Sequence, residues 1–515
     1  MKKTGICVAA LCALTAAAYP SPKAQKRAAA QPAQELVIGD QFDLRHIDPA
    51  QGMLDDTQIL VYNGLVEMDS QFRQAPALAE SWTMSEDGMV WTFHLRKNVT
   101  FHDGTPWNAE AALANFKRLD GYPGLSDTER VETPDPYTLV FQMKHPTYTL
   151  SSNLARTALS MVSPQVIQSD GSITKPVGSG PYKLTKWERD REFVFEAYDG
   201  FWGGPPHIRK ITFKVITDPQ ARASALEAGE IDMMSGYQSL PAVKRLAADP
   251  RFQIIKTVQN TSGALFYNLS RPPLDNKAVR RAIGHALDLN TMVANLLPGL
   301  ASPPSGFFSP AYGDLVNPQV KNPSYDLSRA KALLEENGWT SGPGGVRVRG
   351  SQPLRLTLTY GAANAEHALL AQAIQDALRA AGVDLALNPV EAAALDDLEE
   401  AKNYDMILTD QSFIPTDDPS FHYRRGYWHS ESYYKVYTSE PLDRLINELE
   451  ITMDREKRRA LHWDIQREIM DNAPVLIVYH RNSLRLAKKN IRNFSISSGC
   501  WHINRALKDA VIDAP

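Results

Sequence analysis

The sequence predicts an α/β protein of more than one domain-sized unit, and three observations carry that expectation. The chain has 515 residues, which at about 150 residues per domain gives two to four units. Its 43% hydrophobic and 22% charged residues are those of a globular chain, neither disordered nor repeatedly membrane-spanning. Between residues 354 and 408 the apolar positions alternate between strand and helix spacing, which is the rhythm of an α/β lobe. With 55 Lys and Arg against 59 Asp and Glu, a net charge of −4 provides no basic field for a phosphate backbone, so nucleic acid is not an expected partner.

The elements follow in order. Lys2 and Lys3 precede an apolar run from Ile6 to Ala18, with small residues near Ala16, Ala18 and Ala24; residues 1–30 read as a secretory signal and leader, too short to span a membrane. Leu11 before Cys12 argues against lipoprotein cleavage, so release rather than anchoring is expected. Glu35 to Gly39 opens the first strand. Ser85-Glu86-Asp87-Gly88 is turn chemistry ahead of the alternating Trp91-Thr92-Phe93-His94-Leu95, which makes a hairpin. Asn108 caps a helix carrying Ala112, Leu113 and Phe116. Asp326 caps another through Leu327, Ala330, Leu333 and Leu334, with Gly338 at its left-handed end. Leu354 to Tyr360 is a strand, Asn364 to Gly382 a helix with Leu370, Ile374 and Leu378 on one face, and Val383–Leu387 and Tyr404–Leu408 are strands. No internal repeat is present, so the two halves are different modules.

A catalytic constellation is harder to find. No two of the 12 histidines fall at the His-Glu-x-x-His spacing of a helical zinc site. Gly178-Ser179-Gly180-Pro181 lacks the amide donors and the Lys-Ser/Thr pair of a phosphate loop, and reads as a tight turn. Ser172-Ile173-Thr174-Lys175 has the serine–lysine spacing of penicillin-binding enzymes without their Ser-Asp-Asn partner, and Gly-x-Ser-x-Gly is absent. Cys7 and Cys12 lie in the signal, which leaves Cys500 alone, a packed thiol with no activating neighbour and no partner for a disulfide. A secreted hydrolase or peptidase is therefore the alternative from another class, without a nucleophile to name.

Ala77-Leu78-Ala79-Glu80-Ser81-Trp82, then Ser85–Gly88, Trp91–Arg96 and Phe101-His102-Asp103-Gly104, resemble the signature of family 5 extracellular solute-binding proteins, the dipeptide-, oligopeptide- and nickel-binding proteins of ABC importers. The likeness continues through Gly178–Tyr182, Phe201-Trp202-Gly203, Ile211–Phe213, Asp218-Pro219 and Ala228–Asp232, and so covers nearly the whole mature chain. Tyr325–Thr340 and Gln352-Pro353-Leu354-Arg355 look most like the nickel-binding periplasmic branch, whose members take nickel with a small organic chelator or metal–opine complexes. The resemblance implies a two-lobed periplasmic-binding-protein fold, type II and cluster C-like, with the ligand in an interlobe cleft. Lobe I would comprise residues 35–260 plus 481–515, and lobe II residues 261–480. It implies no enzyme, but a monomeric periplasmic receptor that captures nickel, a metal chelate or, alternatively, a di- or oligopeptide, and hands it to an inner-membrane ABC permease. No cofactor is obligatory; a metal ion would arrive as part of the ligand.

The ligand loop is expected after the strand at 404–408, at the end of a strand where α/β lobes bind. Residues 413–429 combine acids, aromatics, guanidiniums and imidazoles. By the resemblance, Phe413 stands at an aromatic wall, Asp417 or Asp418 where peptide binders hold an amino terminus, and Arg424 or Arg425 where a carboxylate is gripped. Tyr427 and Trp428 add aromatic surface, and His429 stands near the metal-ligating histidine. Arg156 matches a first-lobe arginine for chelator carboxylates. The branch's second such arginine and its tryptophan have no counterpart in the shorter Leu119-Asp120-Gly121-Tyr122-Pro123-Gly124. A guanidinium grips a carboxylate bidentately, and a neutral imidazole can complete a metal's coordination sphere.

Overall fold

Two long strands organise the molecule. In the computed structural model, which describes residues 34–51, 56–236, 238–412, 417–496 and 504–513, Phe252–Tyr267 and Val475–Lys488 run antiparallel through the middle of one large mixed sheet. The signal at 1–30, Phe413 and Cys500 lie outside the described residues. On one side of the pair stand Met406–Ser412, Arg355–Gly361 and Asp384–Val390, with the last two strands parallel to each other. On the other side stand Met233–Met234, Gln34–Asp40, Ile208–Val215, Glu192–Ala197 and Tyr182–Glu188.

Local chemistry sets the elements much as the sequence predicts. Asn108 Oδ1 accepts from Ala111 N to start the helix Ala109–Arg118, Asp326 caps Leu327–Glu336, and Asn364 accepts from Glu366 N and His367 N at the head of Ala365–Ala381. Gly382 closes that helix at φ +88°, a conformation glycine adopts without a Cβ penalty. The last strand starts at Met406 rather than Tyr404. The Gly178–Gly180 turn is shaped by packing: a Cβ at Gly178 would stand 2.0 Å from Val61 O and one at Gly180 2.5 Å from Leu60 O. The two glycines let backbones touch.

The long pair is broken in register between Val258 and Ser262, and again between Gly263 and Ala264. Gly263 is required here because a Cβ would sit 2.1 Å from the Tyr479 ring, which lies across it. The break is polar and buried. Ser305 N donates to His480 Nε2 at 3.0 Å, which leaves Nδ1 as the protonated nitrogen, donating to Ser262 Oγ at 2.8 Å. Burial pulls this imidazole down to about 4, so it stays neutral.

A four-stranded antiparallel sheet, ordered Ala79–Met84, Val90–Leu95, Thr138–Met143 and Thr128–Asp135, packs Phe93, Phe141 and Phe116. Its core is continuous with Phe307, Phe308, Trp428, Leu442, Ile446 and Ile465 of the carboxy-terminal half, and Phe72 meets Tyr312 edge-on at 6.0 Å. The two parts of the chain therefore close on one another, each buried large apolar side chain contributing about 1.5–3 kcal/mol. Among the described residues no helix is long and apolar enough to cross a membrane.

Candidate ligand-binding site

Strand Met406–Ser412 ends where residues 413–416 begin, and the chain re-enters at Asp417 facing the amino-terminal part. Asp417 accepts from Ser152 Oγ at 2.6 Å and from Gln74 Nε2 at 3.0 and 3.2 Å. Burial, with the Asp418 charge beside it, pushes this carboxyl above the ordinary range against the pull of Ser152 and Gln74. Asp418 has a different task. At 7% exposure, its Oδ2 accepts from Arg458 Nη2 at 2.7 Å, its Oδ1 from Ser420 N at 2.8 Å, and His462 Nε2 lies 3.6 Å away. Burial alone would raise this carboxyl, but the Arg458 guanidinium and His462 hold it well below the carboxylate range. Arg458 also donates to Leu449 O and Thr452 O, and its guanidinium lies 4.0 Å from the Tyr148 ring. Asp418 thus anchors the loop.

Arg156 precedes the short helical turn Thr157–Leu159 and is half-buried. Its guanidinium lies 5.9 Å from the Tyr122 ring and makes no hydrogen bond or ion pair among the described residues. Tyr122, in the segment 119–124, thus supplies an aromatic face to Arg156. His422, in the short helix Ser420–His422, is the imidazole brought near Arg156: burial, then the Arg156 charge, drives it down to about 3, so it is neutral at any physiological pH. Arg425 is exposed, its guanidinium 5.4 Å from the Phe421 ring, with no carboxylate partner among the described residues.

The other expected residues turn elsewhere. Arg424 donates to Glu450 at 2.6 Å and also to Glu431 and Asn447, so its fork is filled. Trp428 is 0% exposed, packed against Phe266 and Phe307. Tyr427 stacks on Phe266 and on Tyr434, both at 5.0 Å. His429 is 3% exposed, its Nδ1 accepting from Glu431 N at 3.1 Å and its Nε2 3.8 Å from Asp443. The short helical turns Ser420–His422 and Tyr423–Tyr427 deliver Trp428 and His429 into the core and leave His422 within range of the Arg156 charge. Tyr122, Gln74 and Ser152 escaped sequence reasoning because nothing local marks them; Gln74 and Asp417 are 343 residues apart.

A mixed sheet crossed by two shared long strands, with Asp417 of the carboxy-terminal half meeting Gln74 and Ser152 of the amino-terminal part, has the architecture of a two-lobed solute-binding receptor. Residues 73–431 match the family model for bacterial extracellular solute-binding proteins, family 5. The chain belongs to that family and is a solute-binding receptor of an ABC importer. It is 30% identical over 461 residues to the nickel-binding periplasmic protein of Escherichia coli K12, covering 85% of this chain and 86% of that one. It is also 25% identical to the dipeptide-binding protein of the same organism, over 86% and 88% of the two chains. The crystal structure of NikA from Brucella suis in complex with Fe(III)-EDTA superposes with a TM-score of 0.84 at 27% identity, over 93% of this chain and all of that one.

Proposed function

We propose that this receptor carries a metal ion enclosed in a carboxylate-bearing organic chelator, delivered to an inner-membrane permease from the periplasm, with residues 1–30 as the export signal. The observation that carries this is Arg156, a half-buried guanidinium 5.9 Å from the Tyr122 ring and without a carboxylate partner among the described residues, whose charge also reaches His422, an imidazole kept neutral. The first suits a chelator carboxylate, the second a metal. Among the described residues no three His, Cys, Asp or Glu side chains group as a metal site, so the chelator would supply most of the coordination sphere. The nickel-binding relative and the Fe(III)-EDTA complex support the same class.

The lobes are proposed to divide at the register breaks of the long pair, lobe I as residues 35–260 plus 481–515 and lobe II as 261–480, with closure about those strands. Asp417, bridging to Gln74 and Ser152, would then latch the closed form. The receptor is taken to act as a monomer. The peptide alternative rests on Asp417 as the acid for an amino terminus, a role that would require it to leave both partners.

Calorimetry with Ni(II)–L-histidine, Fe(III)–EDTA and a panel of dipeptides tests this. We expect saturable binding of at least one chelate, weakened by Arg156→Ala by about 1.5–3 kcal/mol, the range for a hydrogen bond to a charged group. Tight dipeptide binding without chelate binding would refute it.

A further inference from the structure

Glu399 is buried without a partner. It ends the helix Ala392–Glu400, is 6% exposed, and makes no side-chain hydrogen bond or ion pair among the described residues. A buried carboxylate left in this way is costly, and each such group needs a reason. Burial, and then the Asp396 charge, pushes it up to about 7.

Its surroundings are aromatic. Tyr404, Tyr427 and Tyr434 all feel the Glu399 charge, and their hydroxyls make no hydrogen bond among the described residues. Tyr434 stacks on Tyr427 at 16°, and Tyr433, 63% exposed, meets Tyr434 edge-on at 4.9 Å. Asp396 and Glu400 lie on the same helix, and Tyr433 is hydrogen-bonded to Glu400. The nearby lysines do not neutralise the site: Lys402 Nζ donates to Lys435 O at 3.0 Å instead, and neither ammonium contributes to the Glu399 shift.

The place shares Tyr427 with the candidate ligand loop but not Asp417, Arg156 or His422: Tyr427 lies on Phe266, which pairs with Ile407 near the start of strand Met406–Ser412, whereas Asp417 follows the far end of that strand and bonds to Gln74 and Ser152.

We propose that Glu399 and the tyrosines around it form a second binding site, for an organic cation of the alkylammonium kind, either a small amine or a lysine side chain of a protein partner. An ammonium has three donors and no acceptor; here it meets a carboxylate and unpartnered phenol oxygens.

Calorimetry of the mature protein with n-butylammonium chloride, against sodium chloride at equal ionic strength, tests the site. One saturable site per chain is expected, with affinity reduced at least about tenfold in Glu399→Gln, as for loss of a charge-assisted hydrogen bond. Tyr434→Ala, chosen at a half-buried position, should weaken it too, and thermal melts by circular dichroism confirm that both variants are folded. An acetylated tri-lysine peptide binding more tightly than butylammonium assigns the site to a protein partner; butylammonium alone assigns it to a small amine. Absence of saturable butylammonium binding, or wild-type affinity in folded Glu399→Gln, overturns the proposal.

Discussion

Replacing Arg458 by Met tests whether the ligand loop is held by a buried charge pair. Met keeps much of the stem's volume and removes the guanidinium. Lost with it are the 2.7 Å contact to Asp418, the donations to Leu449 O and Thr452 O, and the 4.0 Å approach to Tyr148. What remains is a carboxylate at 7% exposure, with Ser420 N as its backbone donor and His462 nearby. Breaking a buried pair from one side costs about 3–5 kcal/mol, most of it the penalty of the uncompensated charge. Because the pair's partners are not independent, the carbonyl losses are not added to this.

The pH dependence gives the sharper check. In the native chain Asp418 titrates well below its unfolded value of about 3.9. Its ionised form therefore contributes stability that is present above the unfolded value and lost as pH falls through the folded one. Without Arg458, burial dominates and the carboxyl rises, so acidification relieves the variant by protonating it. Urea unfolding of wild type and Arg458→Met at pH 7 and pH 4.5 should show a destabilisation of about 3–5 kcal/mol at the higher pH that narrows at the lower. Adding Asp418→Asn to Arg458→Met should recover about 1–3 kcal/mol. A deficit below about 1 kcal/mol, typical of exposed pairs, or one independent of pH, would refute the reasoning.

Other outcomes follow from the same geometry. Asp417 has a raised carboxyl, so the folded form loses stability as pH rises from the ordinary carboxylate value through the raised one; Asp417→Asn should remove that loss, seen as a denaturation midpoint less sensitive to pH above the ordinary carboxylate value. Arg424→Ala should cost only about 0.5–1 kcal/mol, since Glu431 and Glu450 are partly exposed, and should leave chelate affinity unchanged by calorimetry while Arg156→Ala weakens it. Gly263→Ala forces Tyr479 off its 2.1 Å approach, an overpacking of about 1–3 kcal/mol that a thermal melt would register.

Helix caps, strand alternation and glycine punctuation are local, and the sequence alone therefore determined the elements: Asn108, Asp326, Asn364 and Gly382 stand at the termini their chemistry predicts. It determined the family too, because the motifs from Ala77 to Asp232 are contiguous. It also marked the loop after Met406–Ser412 as the candidate ligand segment, since ligands in α/β lobes gather at strand ends. Which side chains of that loop are paired or buried was not legible. A shift of one position along the helical turns from Ser420 to Tyr427 moves a side chain about 100°, enough to turn Arg424 onto Glu431 and Glu450 and Trp428 and His429 into the core while His422 stays within range of the Arg156 charge. Only the tertiary structure decided that, together with the meeting of Asp417 with Gln74 and Ser152 and the isolation of Glu399 among tyrosines. These depend on contacts between segments tens to hundreds of residues apart, and burial and pairing across such distances leave no periodic trace in either segment.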